Sequence, residues 1–235
     1  TNTKLALELG GNAPVIILDD VDIEHVAKTA ATTKFRNCGQ VCISPQRFYV
    51  HEKIFEEFSA LVANYAAALT VGNGLDSETR LGPLINKTQQ QHVLQIIEQA
   101  KEEKNNVITG GTAQHPGNFV LPTVIEVTNK QSEFIHKEIF GPVMPLIPFS
   151  TIEEVITLAN QTPYGLSAYI WTNNINHAIY LSEALEFGMV GINEWAPHAT
   201  EAPFGGWKQS GIGHESGSEG MMEYMEKKLI AIGGL

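Results

Sequence analysis

The stretch Phe35-Arg36-Asn37-Cys38-Gly39-Gln40-Val41-Cys42 sets a cysteine just behind a Gly-Gln turn that follows a helix-like run. A cysteine reacts as its thiolate, which is favoured by exposed backbone N–H groups, a nearby cation or a helix N-terminus. The Gly39 turn offers the first and Arg36 the second, so Cys42 is the candidate nucleophile and its thiol is expected to ionise readily. The competing reading makes Cys38 and Cys42 small packed apolar side chains. If both sat on one helical turn, their Cα atoms would be ~6 Å apart, within disulfide reach, and a reversible bond would shut off the nucleophile. No metal is expected. The eight histidines are scattered, and neither His-Glu-x-x-His nor Cys-x-x-Cys occurs.

The elements that must position this turn follow from hydrophobic periodicity. Lys4 to Leu9 alternates as a strand, and Val15 to Leu18 is a short buried strand. Asp22 caps a helix running to about Phe35, with Ile23, Val26, Ala27, Ala30 and Ala31 on its apolar face, and this helix delivers the Cys42 turn. Arg47 to His51 is a strand, Glu52 to Leu69 an amphipathic helix, Gly72 to Ile85 a long loop and Lys87 to Lys104 a helix. Val107 to Thr109 is a strand, Phe119 to Val127 is extended around Pro122, and Met144 to Phe149 is an apolar strand. Thr151 to Asn160, Leu166 to Thr172, Asn174 to Leu185 and Gly188 to Asn193 then alternate helix, strand, helix, strand. Such alternation predicts a three-layer α/β/α fold around a mostly parallel twisted sheet. Asn193 to Gly220 reads as loop-rich, and Lys228 to Ile232 is a last strand candidate with nothing obvious to pair with.

The chain has 235 residues, 43% hydrophobic and 17% charged, enough for one globular domain with a full core. A formal net charge of −11 argues against a nucleic acid or an anionic membrane as partner and leaves small metabolites open. Two cysteines and no signal-like start point to a reducing, cytoplasmic setting, and no apolar run approaches the ~20 residues that span a bilayer. The start Thr1-Asn2-Thr3-Lys4 lacks an initiator Met and reads as the beginning of an excised domain.

Five elements, in order and spread from end to end, resemble the aldehyde dehydrogenase superfamily. Phe35 to Cys42 resembles its nucleophile segment, Phe-x-Asn-x-Gly-Gln-x-Cys, and Leu7-Glu8-Leu9-Gly10-Gly11 its general-base element. Glu138-Ile139-Phe140-Gly141-Pro142-Val143 resembles the nicotinamide-ribose element, Asn160 to Leu166 the Asn-x-x-x-Tyr-Gly-Leu element, and Pro203 to Gly211 the late Pro-Phe-Gly-Gly-x-Lys-x-Ser-Gly element. The family's N-terminal half, with its Rossmann-like NAD domain, has no counterpart in this sequence, and no Gly-x-Gly-x-x-Gly fingerprint occurs.

The resemblance implies a catalytic domain over 1–220 and a C-terminal oligomerisation segment over 221–235 that adds an edge strand to a neighbouring subunit, hence a homo-oligomer. It implies NAD or NADP as cofactor, with Cys42 forming a thiohemiacetal and then a thioester, and Glu8 as the base for the hydrolytic water. Glu138 would accept from the ribose hydroxyls, Phe140 would pack beside that sugar, and the Leu9 carbonyl would face the carboxamide. Within the family the succinate-semialdehyde dehydrogenases are most similar: Arg36 stands where they grip the substrate carboxylate, and Phe204 would line the aldehyde channel. His198 replaces a Ser of their substrate loop, and His214 replaces an Arg. A cysteine ester or thioester hydrolase, needing only Cys42, a base and an N–H donor, and a non-catalytic association module stay open beside this reading.

Overall fold

A computed structural model describes residues 3–234. Its centre is a seven-stranded sheet, numbered here in chain order: β1 (Ala13–Ile17), β2 (Pro45–His51), β3 (Asn106–Thr109), β4 (Thr123–Glu126), β5 (Val143–Phe149), β6 (Ser167–Trp171) and β7 (Met189–Ile192). The spatial order is β7-β6-β1-β2-β5-β4-β3, and every pairing is parallel except that of β3 with β4 at one edge. The inner strands are buried along almost their whole length, as a sheet covered on both faces demands.

The helices are α1 (Ile23–Phe35), α2 (Phe55–Ala67), α3 (Lys87–Glu102), α4 (Ile152–Asn160), α5 (Ile175–Ala184) and the short α6 (Gly217–Met222). Asp22 caps α1 by accepting from the His25 N–H at 3.0 Å, as its position before the apolar stripe predicts. From β1 through β2 to β5 the chain steps toward one edge, and from β5 through β6 to β7 toward the other. Parallel crossovers are right-handed, so α1 and α2, which pack on each other, cover one face, and α4 and α5 cover the other.

Several expectations are corrected. The strand expected over Lys4 to Leu9 shrinks to Leu7–Glu8, which pairs antiparallel with Gly211–Ile212. The helix expected from Glu52 opens with a 3₁₀ turn over Glu52–Ile54. The end of the stretch expected as loop enters α6. The Lys228 to Ile232 segment forms no strand, since an unpaired strand has nothing to satisfy its ladder, and Leu229, Ile230 and Ile232 are exposed. Among the described residues no helix is long and apolar enough to cross a membrane.

β1, β2, β5 and β6 are mutually parallel, so the segments entering them meet at one edge of the sheet. Those segments carry Glu8, Cys42 and Glu138. Open α/β sheets ordinarily bind ligands at the opposite, carboxyl edge, where the chain reverses direction between neighbouring strands. Here that crevice is closed by the protein itself: Asp20 accepts from the Thr172 hydroxyl at 2.8 Å and from the Asn173 N–H at 3.0 Å. The amino edge is the functional candidate.

Candidate active site

Glu8 is presented by the Leu7–Glu8 ladder, and the next residue, Leu9, donates its N–H to the Ser210 carbonyl at 3.0 Å. The fully buried Ser210 hydroxyl donates to the Gly10 carbonyl at 2.7 Å and accepts from the Gly165 N–H at 2.9 Å. Ser210 thus ties the Glu8 segment to the strand entry at Leu166. Gly11 donates its N–H to Glu138 Oε1 at 3.1 Å. A Cβ at Gly10 would push the Glu138 carboxylate out of its present position.

The nucleophile turn is left-handed at three successive residues, with φ of 50° at Asn37, 58° at Cys38 and 69° at Gly39. The Asn37 amide donates to the Gln40 carbonyl at 2.8 Å, a local bond that helps a non-glycine residue hold this conformation. Gly39 lies against the Gly141 carbonyl with no room for a side chain, so the Cys42 turn and the Glu138 loop are in backbone contact. The long loop before α3 braces the turn: Cys38 Sγ donates to the Gly82 carbonyl at 2.8 Å, and Gln40 accepts from the Ile85 N–H at 3.1 Å. The idea of Cys38 and Cys42 on one helical turn is therefore corrected. Cys38 is buried with its sulfur committed to Gly82, Cys42 is partly exposed, and both thiols are free.

The expected easy ionisation of Cys42 is also corrected. Burial, and then the hydrogen-bonding and charge influence of the Glu8 carboxylate, push its pKa up to about 12, against the opposing pull of the Ile43 and Cys42 backbone N–H groups. Arg36 is exposed and is not among the groups acting on this thiol. Burial also raises Cys38, to about 11. Glu138 is half-buried and its pKa is raised, chiefly by burial, with the Gly11 N–H opposing and the Glu8 charge adding to the rise.

Around Cys42, Phe204 packs with Val41, Ile43, Leu166 and Met189 in a small apolar cluster. The His198 ring meets Phe204 edge-on at 6.4 Å. Arg36 shares a narrow cleft with Val41, Ile43, Tyr169 and Trp195 on the flank of the nucleophile turn. Phe140 has φ of 47° and is held by the Gln89 amide, which donates to its carbonyl at 2.9 Å. Leu9 is exposed. A cavity of about 500 Å³ opens beside Glu8, lined also by Phe204, Gly205, His214, Glu215 and Tyr224. Cys42, Glu138, Phe140 and Phe204 are partly enclosed, whereas Glu8, Leu9, Arg36 and His198 are exposed, Glu8 at the cavity and Arg36 at the rim.

Sequence reading missed Ser210, Gln89 and Lys34. The first lay within a quoted motif as an unassigned serine, and the second had no signal beyond its place in the first turn of α3. Lys34 had one: it continues the 23, 26, 27, 30, 31 stripe of α1 inward, and its side chain is fully buried. Lys208 of the late motif turns out to brace the fold, donating to the Asn160 carbonyl at 2.9 Å and pairing with Glu186 at 2.7 Å.

The site residues fit a nicotinamide ribose. Among the described residues only the Gly11 N–H hydrogen-bonds to Glu138, which leaves a half-buried carboxylate with acceptor capacity for a diol.

The Aldehyde dehydrogenase family pattern matches residues 1–230. The chain is 44% identical to a mitochondrial succinate-semialdehyde dehydrogenase of Oryza sativa subsp. japonica over its full length, covering 45% of that protein. It is 40% identical to a 3-sulfolactaldehyde dehydrogenase of Pseudomonas putida, again over its full length and 49% of the relative. Among solved structures it superposes on the NAD+ complex of an aldehyde dehydrogenase from Bacillus cereus with a TM-score of 0.91 at 41% identity, over 94% of this chain and 45% of that one. Lactaldehyde dehydrogenase from Escherichia coli gives 0.93 at 36% identity, over 97% and 48%. The chain spans about half the length of the curated relatives it matches. With its motifs assembled at one edge of a fold shared with these enzymes, the chain belongs to the aldehyde dehydrogenase family.

Proposed function

We propose that this chain carries the thiol-bearing catalytic portion of an NAD(P)-dependent aldehyde dehydrogenase acting on a semialdehyde that ends in an anionic group, with succinate semialdehyde as the first candidate. The observation that carries this reading is the pairing of Cys42 with Glu8 at the strand entries, with Phe204 packed on the cysteine and Glu138 half-buried on Gly11.

A thiol with a pKa of about 12 gives up its proton only as the C–S bond forms; Cys42 is partly exposed, so that proton leaves to solvent water and Glu8 stays ionised for the later step. The sulfur adds to the aldehyde carbon, the C–S bond forms, and the carbonyl π electrons move onto oxygen, where the Cys42 backbone N–H supplies one donor. The nicotinamide ring, when bound, supplies the acceptor for the aldehyde hydrogen and its electron pair. A thioester on Cys42 remains. Glu8 takes a proton from the attacking water, the new C–O bond forms, and the C–S bond breaks to return the thiolate. Glu138 and Phe140 would hold the cofactor's ribose, and the Leu9 carbonyl its carboxamide.

Among the curated relatives are dehydrogenases named for succinate semialdehyde, 3-sulfolactaldehyde and, in Halomonas elongata at 40% identity, aspartate semialdehyde, aldehydes that share a terminal anion. Arg36 at the rim, with His198 beyond Phe204, supplies the cationic and hydrogen-bonding side of such a site. The exposed Leu229, Ile230 and Ile232 suit the association strand of a homo-oligomer.

In the full-length enzyme, Glu8→Gln should release one equivalent of reduced nicotinamide and then stall, whereas Cys42→Ser should lose the burst. Normal steady-state turnover of Glu8→Gln would remove Glu8 as the base, and a surviving burst in Cys42→Ser would remove Cys42 as the nucleophile.

A further inference from the structure

Trp195 follows β7 in sequence and is turned back over β6. Asn193, left-handed with φ of 51°, accepts from the Thr172 N–H at 3.1 Å and donates its amide to the Thr172 carbonyl at 2.9 Å, which pins the chain as it leaves β7. The indole then packs tilted against two buried rings of β6, Tyr169 at 5.5 Å and Trp171 at 4.8 Å between centroids. Its Nε1–H is shielded from solvent and has no acceptor among the described residues. A buried indole N–H ordinarily finds a partner, so an orphan held in place by its own packing calls for one from outside the chain. Trp171 Nε1 is unpartnered as well, but that ring does not line the cleft beside the nucleophile turn, whereas Trp195 does.

That cleft is shared with Arg36 and with Val41 and Ile43, the sequence neighbours of Cys42, which also touch the Phe204 cluster. It holds donors and no anion. Arg36 forms no ion pair among the described residues, no Asp or Glu lines the cleft, and the Tyr169 hydroxyl commits its proton to the Ile43 carbonyl at 2.6 Å. Its volume, about 10 Å³, admits one oxygen-sized atom. A guanidinium at the rim and an unpaired N–H at a one-oxygen hole are the complement of a carboxylate or sulfonate. We propose that Trp195 is a specificity-determining residue: its Nε1–H and Arg36 together hold the terminal anion of the aldehyde, with one oxygen seated in the cleft on the indole and another on the guanidinium. The assignment rests on the reading of the substrate as an aldehyde ending in an anion, and it adds a donor on a rigid ring to the flexible cation. A neutral aldehyde carries an alkyl end there, leaves the buried N–H unpaired, and is rejected for that reason as well as for its lack of charge.

The test is steady-state kinetics of the full-length enzyme with succinate semialdehyde and with propanal. Wild type is compared with Trp195→Phe and with Trp195 replaced by benzothienylalanine, a fused ring of the same shape that lacks the N–H. Both changes should raise the KM for succinate semialdehyde roughly tenfold or more, as loss of a hydrogen bond to a charged group does, with kcat and both constants for propanal kept within about twofold. Added to Arg36→Ala, either change should cost less than it does alone, because the two donors share one anion. An unchanged KM for succinate semialdehyde, a rise shared equally by propanal, or a rise in Trp195→Phe that the isosteric ring does not reproduce would overturn the proposal. The last two outcomes mark a ring that only packs. Benzothienylalanine fills the same space, so its arm reads out even if Trp195→Phe folds poorly. A wild-type enzyme with the higher kcat/KM for propanal would sink the anionic-substrate reading itself, an outcome distinct from an enzyme that prefers succinate semialdehyde and is indifferent to Trp195.

Discussion

Cys42 and Cys38 share one turn and differ in what surrounds each sulfur. Cys38 is 3% exposed and donates to the Gly82 carbonyl, whereas Cys42 is partly open and faces Glu8. Iodoacetamide should therefore alkylate Cys42 well before Cys38, as mass spectrometry of the two peptides would show; equal rates would contradict the site. The Glu8 charge holds the Cys42 proton on, so Glu8→Gln should lower that pKa, enlarge the thiolate fraction at any fixed pH below 12 and speed alkylation at pH 8. The same substitution should slow turnover, and this opposition separates a base from a bystander. Arg36→Ala should raise the KM for succinate semialdehyde far more than that for propanal, by roughly 2–3 kcal/mol if a charge-assisted pair is lost. An equal rise for both aldehydes in steady-state kinetics would place Arg36 outside substrate recognition.

Arg47, in β2, shows how elements rather than single residues hold the site. Its buried guanidinium donates to the Asn12 carbonyl at 3.1 and 2.9 Å, to the Leu158 carbonyl at 3.0 Å and to the Ala159 carbonyl at 2.8 Å. The last two belong to the final turn of α4, where a cation also complements the helix dipole. One side chain thus joins α4 to the segment that runs from Glu8 through Gly11 into β1. Arg47→Met keeps most of the volume and removes the guanidinium donors from the Asn12 and Ala159 carbonyls, while Leu158 keeps the Tyr49 hydroxyl at 3.2 Å, at about 1–3 kcal/mol for each unsatisfied group. Urea unfolding should show a loss of several kcal/mol with an unchanged slope, and a near-neutral result would mean that water replaces the guanidinium.

At the scale of the whole molecule, three buried titratable groups shape stability against pH. The folded chain releases the Lys34 proton near 7, while the unfolded chain keeps it to 10.5, so between these values the unfolded state holds the extra proton and stability climbs with pH. Cys38 and Cys42 act oppositely: folded, they keep their protons to about 11 and 12, against a reference of 9.0. Above pH 9 the unfolded state sheds these protons first, and stability falls. Melting temperature should thus peak near pH 9; Lys34→Met should flatten the acid-side slope, and Cys38→Ala with Cys42→Ala the alkaline one. On the proposed reading, Leu9, Glu138 and Phe140 would contact only one ribose and the nicotinamide, which would not offset the ~4–15 kcal/mol entropic cost of association. Calorimetry on the chain alone should show no submillimolar binding of NAD.

Periodicity determined most of the fold, and motif spacing singled out the candidate reacting residues. The alternation of Val143–Phe149, Ile152–Asn160, Ser167–Trp171, Ile175–Ala184 and Met189–Ile192 as strand and helix was legible because each element buries one apolar face or run. Cys42, Glu8 and Glu138 were legible because their neighbours form recognisable motifs. Local pattern carries no long-range distances, however. It could not show that Leu7–Glu8 pairs with Gly211–Ile212 from the far end of the chain, or that Ser210 ties down Gly10. Nor could it give the environment of a charge. Arg36 is close to Cys42 in sequence and does not act on its thiol, whereas Glu8, 34 positions away, raises it. The α1 stripe points Lys34 inward, but how far its charge is desolvated belongs to the packed tertiary structure and has no signature in the order of residues.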